Sequence, residues 1–167
     1  MATGAAFYIQ QGDVYILKLS GDVRYTIGCA LRDFLDSLFA QTDYNAIIVD
    51  LTEAHSIDST SLGLLARIAN FSQERFQQKT TLLSTHPDVN QILENLGFYE
   101  IFTIRDSGQT ISATLQQLAL SDPSCNKEAL TRIVYEAHRT LSDLNPSNQE
   151  AFKSVLDTLK PRVDGSS

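Results

Sequence analysis

Ala46-Ile47-Ile48-Val49-Asp50-Leu51-Thr52-Glu53-Ala54-His55-Ser56-Ile57-Asp58-Ser59-Thr60-Ser61-Leu62-Gly63-Leu64-Leu65 is the stretch on which the fold turns. Its first six residues are a nearly continuous apolar run, the pattern of a central strand covered on both faces. A polar loop follows. From Ser59 onward Leu62, Leu65, Ala66, Ile68, Ala69 and Phe76 recur at roughly helical spacing. Serine is a favoured N-cap, because its side-chain oxygen accepts from an amide of the first turn, so the helix is predicted to begin at Ser59. A buried strand thus runs through a polar loop into a helix N-terminus, a place where functional groups collect.

Working toward the N-terminus, residues 7–11 and 14–20 flank the turn-forming pair Gly12-Asp13 and predict a hairpin. After Gly21-Asp22-Val23-Arg24, the residues Ile27, Leu31, Phe34, Leu35, Leu38 and Phe39 mark a helix with one buried face. Toward the C-terminus, residues 80–84 read as a strand. His86-Pro87-Asp88 opens a helix through Leu96, and Gly97 supplies the stop. Residues 98–105 read as extended and residues 109–120 as a closing helix. The order β-β-α-β-α-β-α-β-α predicts an α/β domain over residues 1–120, with a mixed sheet of about five strands and helices mainly on one face. Ser121-Asp122-Pro123-Ser124 then marks a linker. Leu130, Ile133, Val134, Ala137 and Leu141 stripe one further helix, Asn145-Pro146 breaks it, and Phe152, Val155, Leu156 and Leu159 stripe another. Residues 121–167 are therefore predicted to form a helical hairpin. Such a pair is marginal alone in water and needs another surface, for which its own domain is the first choice over a second copy or a partner.

Composition narrows the function. A chain of 167 residues has room for one substantial core and a small appendage. No segment approaches the roughly 18–20 apolar residues that cross a bilayer, and Met1-Ala2-Thr3-Gly4 lacks the basic start of a signal peptide, so no membrane insertion and a cytoplasmic location are expected. A formal net charge of −7 leaves no broad basic surface for nucleic acid. Residues 1–120 carry 7 Lys/Arg against 13 Asp/Glu, and residues 121–167 carry 6 against 7, so the acidity belongs to the larger part. Cys29 and Cys125, widely spaced and without a CxxC partner, are expected to be ordinary reduced thiols.

In context, Ile57-Asp58-Ser59-Thr60-Ser61-Leu62-Gly63 followed by Leu64-Leu65 resembles the signature of the STAS family of anti-sigma factor antagonists. The predicted order of elements over about residues 6–120 is similar to that family as well, while residues 121–167 lie beyond its usual core. The resemblance implies a STAS-like fold and a partner-switching regulator of transcription. In such a regulator, an anti-sigma factor with serine kinase activity binds the unphosphorylated protein and phosphorylates the serine after the aspartate, here Ser59. A phosphatase acting on phospho-Ser59 restores binding. It also implies that Ile57, Asp58, Ser59, Thr60, Ser61, Leu62 and Gly63 contact the partner, together with the turn that holds Asp22 and Arg24. That turn departs from the family, which often carries Gly-Glu-Leu-Asp where this chain has Gly21-Asp22-Val23-Arg24, so the acidic contact at the fourth position is replaced by Arg24.

Physical chemistry suits the role, since the first amides of a helix lack internal partners and the positive end of its dipole accommodates an anion. Ser59 read as a plain N-cap remains the ordinary alternative, and Thr60 and Ser61 are neighbouring hydroxyls that could be modified instead. Asp58 favours the helix dipole in any case. Gly63 either lets another chain approach or marks tight packing. Asp50, Glu53, His55 and Asp58 could be imagined as metal ligands or an acid–base set, yet their spacing is not diagnostic, and His86 and His138 are weaker candidates still. No Walker motif, HExxH or nucleophile elbow is present, so the chain is expected to be a kinase substrate and not an enzyme, with no cofactor. Two other outputs stay open: a non-switching scaffold or transporter-associated subunit, and a regulator of a signalling enzyme such as a nucleotide cyclase.

Overall fold

Gly12, at φ 61°, turns the chain between strand β1 (Ala5–Gln11) and strand β2 (Val14–Val23), which pair antiparallel from Gln11 opposite Val14 to Ala5 opposite Ser20. A positive φ is readily available to glycine, which has no Cβ to clash with the backbone. The computed structural model describes residues 3–106 and 114–165. Beyond the hairpin come a 3-10 turn (Tyr25–Ile27), α1 (Gly28–Ala40), β3 (Ala46–Ile57), α2 (Ser59–Phe76), β4 (Thr80–Leu83), α3 (Pro87–Asn95), α4 (Phe98–Ile101) and β5 (Phe102–Arg105). A short strand β6 (Gln116–Gln117) and two long helices, α5 (Lys127–Ser142) and α6 (Pro146–Asp164), complete the chain. The sheet has six strands in the order β5-β4-β3-β2-β1-β6, parallel from β2 to β5 and antiparallel at the β1 pairings.

Alternation along β2 shows which face carries the core. Tyr15, Leu17, Leu19 and Val23 are buried in the core cluster, whereas on the other face Val14, Lys18, Ser20 and Asp22 are only half-buried and Ile16 is buried outside that cluster. The buried face meets Leu31, Leu35 and Leu38 of α1, Leu62, Leu65 and Ile68 of α2, and Val89 and Leu93 of α3 in one apolar cluster. Ile48 in β3 is half-buried, so the second face is less fully covered than the apolar run implied. Within the cluster Tyr44 is buried, and its hydroxyl donates to the Leu38 carbonyl at 2.8 Å. Burial, opposed in part by the Arg75 charge, pushes its phenol from 10.0 up to about 12. A raised pKa means that the fold favours the neutral phenol, so this contribution is complete below pH 10 and is lost as pH climbs through about 12. Tyrosinate absorbance in a spectrophotometric titration should therefore contain a phenol titrating at about 12 that is absent in Tyr44→Phe. A curve for Tyr44→Phe that still contained that phenol would overturn the assignment.

Several boundaries differ from the sequence expectation. β3 does not end at Leu51 but continues to Ile57, because β2 runs on beside it and pairs Ser20 with Glu53, Gly21 with Ala54 and Val23 with Ile57 across two register shifts. Residues 98–101 form one helical turn instead of extended chain: Gly97, at φ 81°, redirects the backbone, and Phe98 drops into the core against Phe102. Of the helix expected at residues 109–120, residues 109–113 lie outside the described residues. Residues 116–117 instead add a strand to the β1 edge, where Leu118 N–H donates to Ala6 O at 2.8 Å. The two cysteines are not separate thiols. They form a disulfide, with Cα atoms 5.9 Å apart, because the chain folds back to set Cys125 over the start of α1.

The predicted helical hairpin is present and docks on its own domain. Ile133 and Leu141 of α5 join the central apolar cluster. Helix α6 is mostly exposed and lays the half-buried stripe Phe152, Leu156, Leu159 and Val163 along the hairpin. Its buried Asn148 donates to both Leu96 O and Leu141 O at 2.9 Å, tying the hairpin turn to the end of α3.

Candidate functional site

Asp58, not Ser59, is the N-cap of α2. Its Oδ1 accepts from Ser61 N–H at 2.9 Å and its Oδ2 accepts from Tyr25 N–H at 2.6 Å, while its own N–H donates to Val23 O at 3.0 Å. The expected cap is displaced by one residue because a carboxylate offers two acceptor oxygens. Asp58 thereby satisfies a first-turn amide and also fixes the loop that follows β2.

That placement makes Ser59 the first residue of α2, half-buried, with its hydroxyl 2.8 Å from His138 Nε2 on α5. The other ring nitrogen, Nδ1, lies 2.7 Å from Val134 O. A carbonyl oxygen only accepts, so Nδ1 carries the hydrogen in the neutral ring and Nε2 presents a lone pair. Ser59 therefore donates and His138 accepts. His138 is buried, with the Phe152 ring at its edge, 5.3 Å between centroids.

Structure separates the remaining predicted contacts into two groups. Ile57 and Leu62 are buried in the core, and Thr60 and Ser61, at 4% and 1% exposure, are turned inward. Of the three candidate hydroxyls, Ser59 is the most accessible. Gly63 lies under α5, where a Cβ would stand 2.6 Å from the Ala137 Cβ and would also strike the Ala137 carbonyl. Asp22 and Arg24 pair at 2.7 Å, and Asp22 also accepts from Ser56. The Ser56 hydrogen bond, helped by Arg24, holds the Asp22 carboxyl below its ordinary range. Arg24 and Tyr25 are exposed, and an open cleft lined by Asp22, Arg24, Thr26, Ile27, Leu120 and Ser121 adjoins them.

The imagined acid–base set is dispersed among other partners. Asp50 is buried and accepts from the Thr52 amide at 2.8 Å and the Thr52 hydroxyl at 2.7 Å, Glu53 pairs with Lys18, and Asp58 caps α2. His86 caps α3 and lies edge-on to His55, 6.3 Å between centroids. Among the described residues no group of three or more His, Cys, Asp or Glu is placed to hold a metal ion. Among them, too, no helix is long and apolar enough to cross a membrane.

Residues 8–117 match the family model described as STAS domain. The chain belongs to the STAS domain family. Two solved structures of SpoIIAA share the STAS fold with it. One is the anti-sigma factor antagonist SpoIIAA in its unphosphorylated form, with TM-score 0.51, 15% identity and coverage of 62% of this chain and 89% of that one. The other is the Bacillus cell fate determinant SpoIIAA in the phosphorylated form, with TM-score 0.50, 16% identity and coverage of 62% and 92%. No curated protein matches the sequence. In this STAS domain the expected motif sits at the junction of β3 and α2. Two features beside it were not anticipated: Tyr25, exposed next to the Asp58 cap, and the contact of His138, named above only as a weak ligand or acid–base candidate, which reaches Ser59 across 79 positions of sequence.

Proposed function

We propose that this STAS protein is a partner-switching regulator of the anti-sigma factor antagonist type, acting by binding and not by catalysis. In this reading it binds an anti-sigma factor with serine kinase activity through the first turn of α2 and the Asp22–Arg24 turn. Phosphorylation of Ser59 releases the partner, and a phosphatase acting on phospho-Ser59 resets the complex. The observation that carries the reading is the position of Ser59: a half-buried hydroxyl on the first turn of an 18-residue helix, directly after its aspartate cap. Free amides and the positive helix end favour an anion there.

A phosphate would bring about −1.5 to −2 charges beside Asp58 and would remove the hydroxyl hydrogen that His138 now accepts. Repulsion and bulk would then act together on any surface docked at the turn. Capture of partners from cell extract by wild type, Ser59→Ala and Ser59→Asp, read by mass spectrometry, tests the reading. Ser59→Ala should retain the partner and Ser59→Asp should lose it by at least tenfold, a change of about 1.4 kcal/mol. Equal recovery by the two variants would refute a switch at Ser59. The cover provided by α5 favours a second reading, a non-switching scaffold in which Ser59 is never modified; phosphate detected on Ser59 from cells excludes it.

A further inference from the structure

The cleft between α1 and α2 accepts a helix, and the chain already fills it. Two glycines shape the seat. Gly28 opens α1 beneath Ile133, whose Cγ2 would lie 3.2 Å from a Cβ at that position, and Gly63 lets α2 approach the backbone of Ala137. With Ile133 and Leu141 buried in the core cluster, α5 presents a stripe at positions 133, 137 and 141 to the cleft. One turn of that contact is polar, the Ser59–His138 hydrogen bond, so the group read above as the switch lies inside the intramolecular interface.

The hairpin is held at three places. Asn145 and Asn148 donate to Leu96 O at the turn, Ser59 and Gly63 hold the middle, and the Cys29–Cys125 disulfide pins the start, two residues before α5 begins. Helix α6 adds little to this attachment, since Asn148 is its one fully buried residue. We infer that α5 and α6 form a disulfide-gated mask over the Ser59 surface: the oxidised chain holds the surface closed against kinase and partner, and reduction lets them reach it. That the mask is regulatory rests on the reading of Ser59 as the modified residue; its opening does not.

The gate works through tether length. With the disulfide intact, α5 is anchored about two residues from its first turn; once it is cleaved, the tether is the roughly ten residues back to β6. Effective concentration falls with about the −3/2 power of tether length, so the closed state weakens roughly tenfold. Cleavage consumes one dithiol: its two thiols give up two electrons and two protons, become a disulfide, and leave Cys29 and Cys125 as free thiols. Phosphorylation then acts in the same direction, because a phosphate on the Ser59 oxygen removes the hydrogen that Nε2 of His138 now receives and forces its bulk into a part-buried contact between α2 and α5.

Hydrogen–deuterium exchange on the full chain tests the inference without any partner. Oxidised wild type should protect residues 127–142, and dithiothreitol should raise their exchange about tenfold while β2 and β3 stay protected. Cys125→Ser should show the raised exchange without reductant, and Ser59→Asp should raise it further in the reduced protein. Unchanged exchange of α5 on reduction and in Cys125→Ser would overturn the gate. A positive exchange result together with equal partner capture by Ser59→Ala and Ser59→Asp would instead sink the switching function and leave the mask standing.

Discussion

Phe98→Ala should cost the fold about 3–5 kcal/mol, the usual range for deleting a fully buried aromatic ring. Phe98 has 0% exposure and stacks on Phe102 with centroids 5.3 Å apart, inside the cluster that also contains Leu82, Val89 and Leu93. The surrounding elements cannot close over the gap cheaply, because Phe98 begins one helical turn set by the positive φ of Gly97. Against a total stability of about 5–15 kcal/mol, the loss is a large fraction. Urea unfolding followed by circular dichroism should show a much lower midpoint for Phe98→Ala. The smaller truncation Phe98→Leu, which keeps four of the seven side-chain carbons, should cost less than alanine. A shift below about 1 kcal/mol for alanine would mean that the site collapses and that this end of the core is softer than its burial implies. Hairpin attachment should weaken in parallel, since Leu96 O, which receives Asn145 and Asn148, sits two residues upstream.

How much of this was legible in the sequence follows the range over which each signal acts. The β1–β2 hairpin, α1, the start of β3, α2 and α3 each bury a face for several turns or residues, so their apolar periodicity is written locally. A strand of two residues has no period to read, and Gln116–Gln117 becomes β6 only because the β1 edge is there to pair with it. The helical turn at residues 98–101 depends on a backbone reversal at Gly97, which the sequence offers without specifying its direction. At the site, the Asp58–Ser59 pair marks the helix start, but which of the two caps is decided by the second bond from Tyr25. The Cys29–Cys125 bond and the Ser59–His138 bond span 96 and 79 positions, and both exist because α5 docks on α1 and α2. One local signal did point to that docking: Gly63 within a long helix costs roughly 1 kcal/mol relative to alanine, so its presence implies a close approach.

That close approach supplies a second large effect. Gly63→Val should expel α5 from α2 while leaving the sheet folded. A Cβ at residue 63 meets backbone atoms of Ala137, and backbone cannot swing aside as a flexible side chain would. Overpacking of this kind costs about 1–3 kcal/mol even for a modest insertion, and valine adds two further methyl groups to the same collision. Gly63→Ala sets two effects against each other. Helix propensity favours alanine by about 1 kcal/mol, whereas its Cβ would overlap the Ala137 backbone, so α2 and α5 must move apart to admit it and the net change should be clearly unfavourable to docking. Amide exchange of residues 127–142 should therefore rise for alanine and rise further for valine, with β3 unaffected in both. If valine left α5 protected, the two helices would have to separate without releasing the hairpin, and Ser59 would be covered by something other than the seat at Gly63. If alanine instead raised stability and protection, propensity would dominate and the two helices would have slack between them. The expected order, wild type well above alanine and alanine above valine in α5 protection, ties the accessibility of Ser59 to one missing methyl group four residues along the same face of α2.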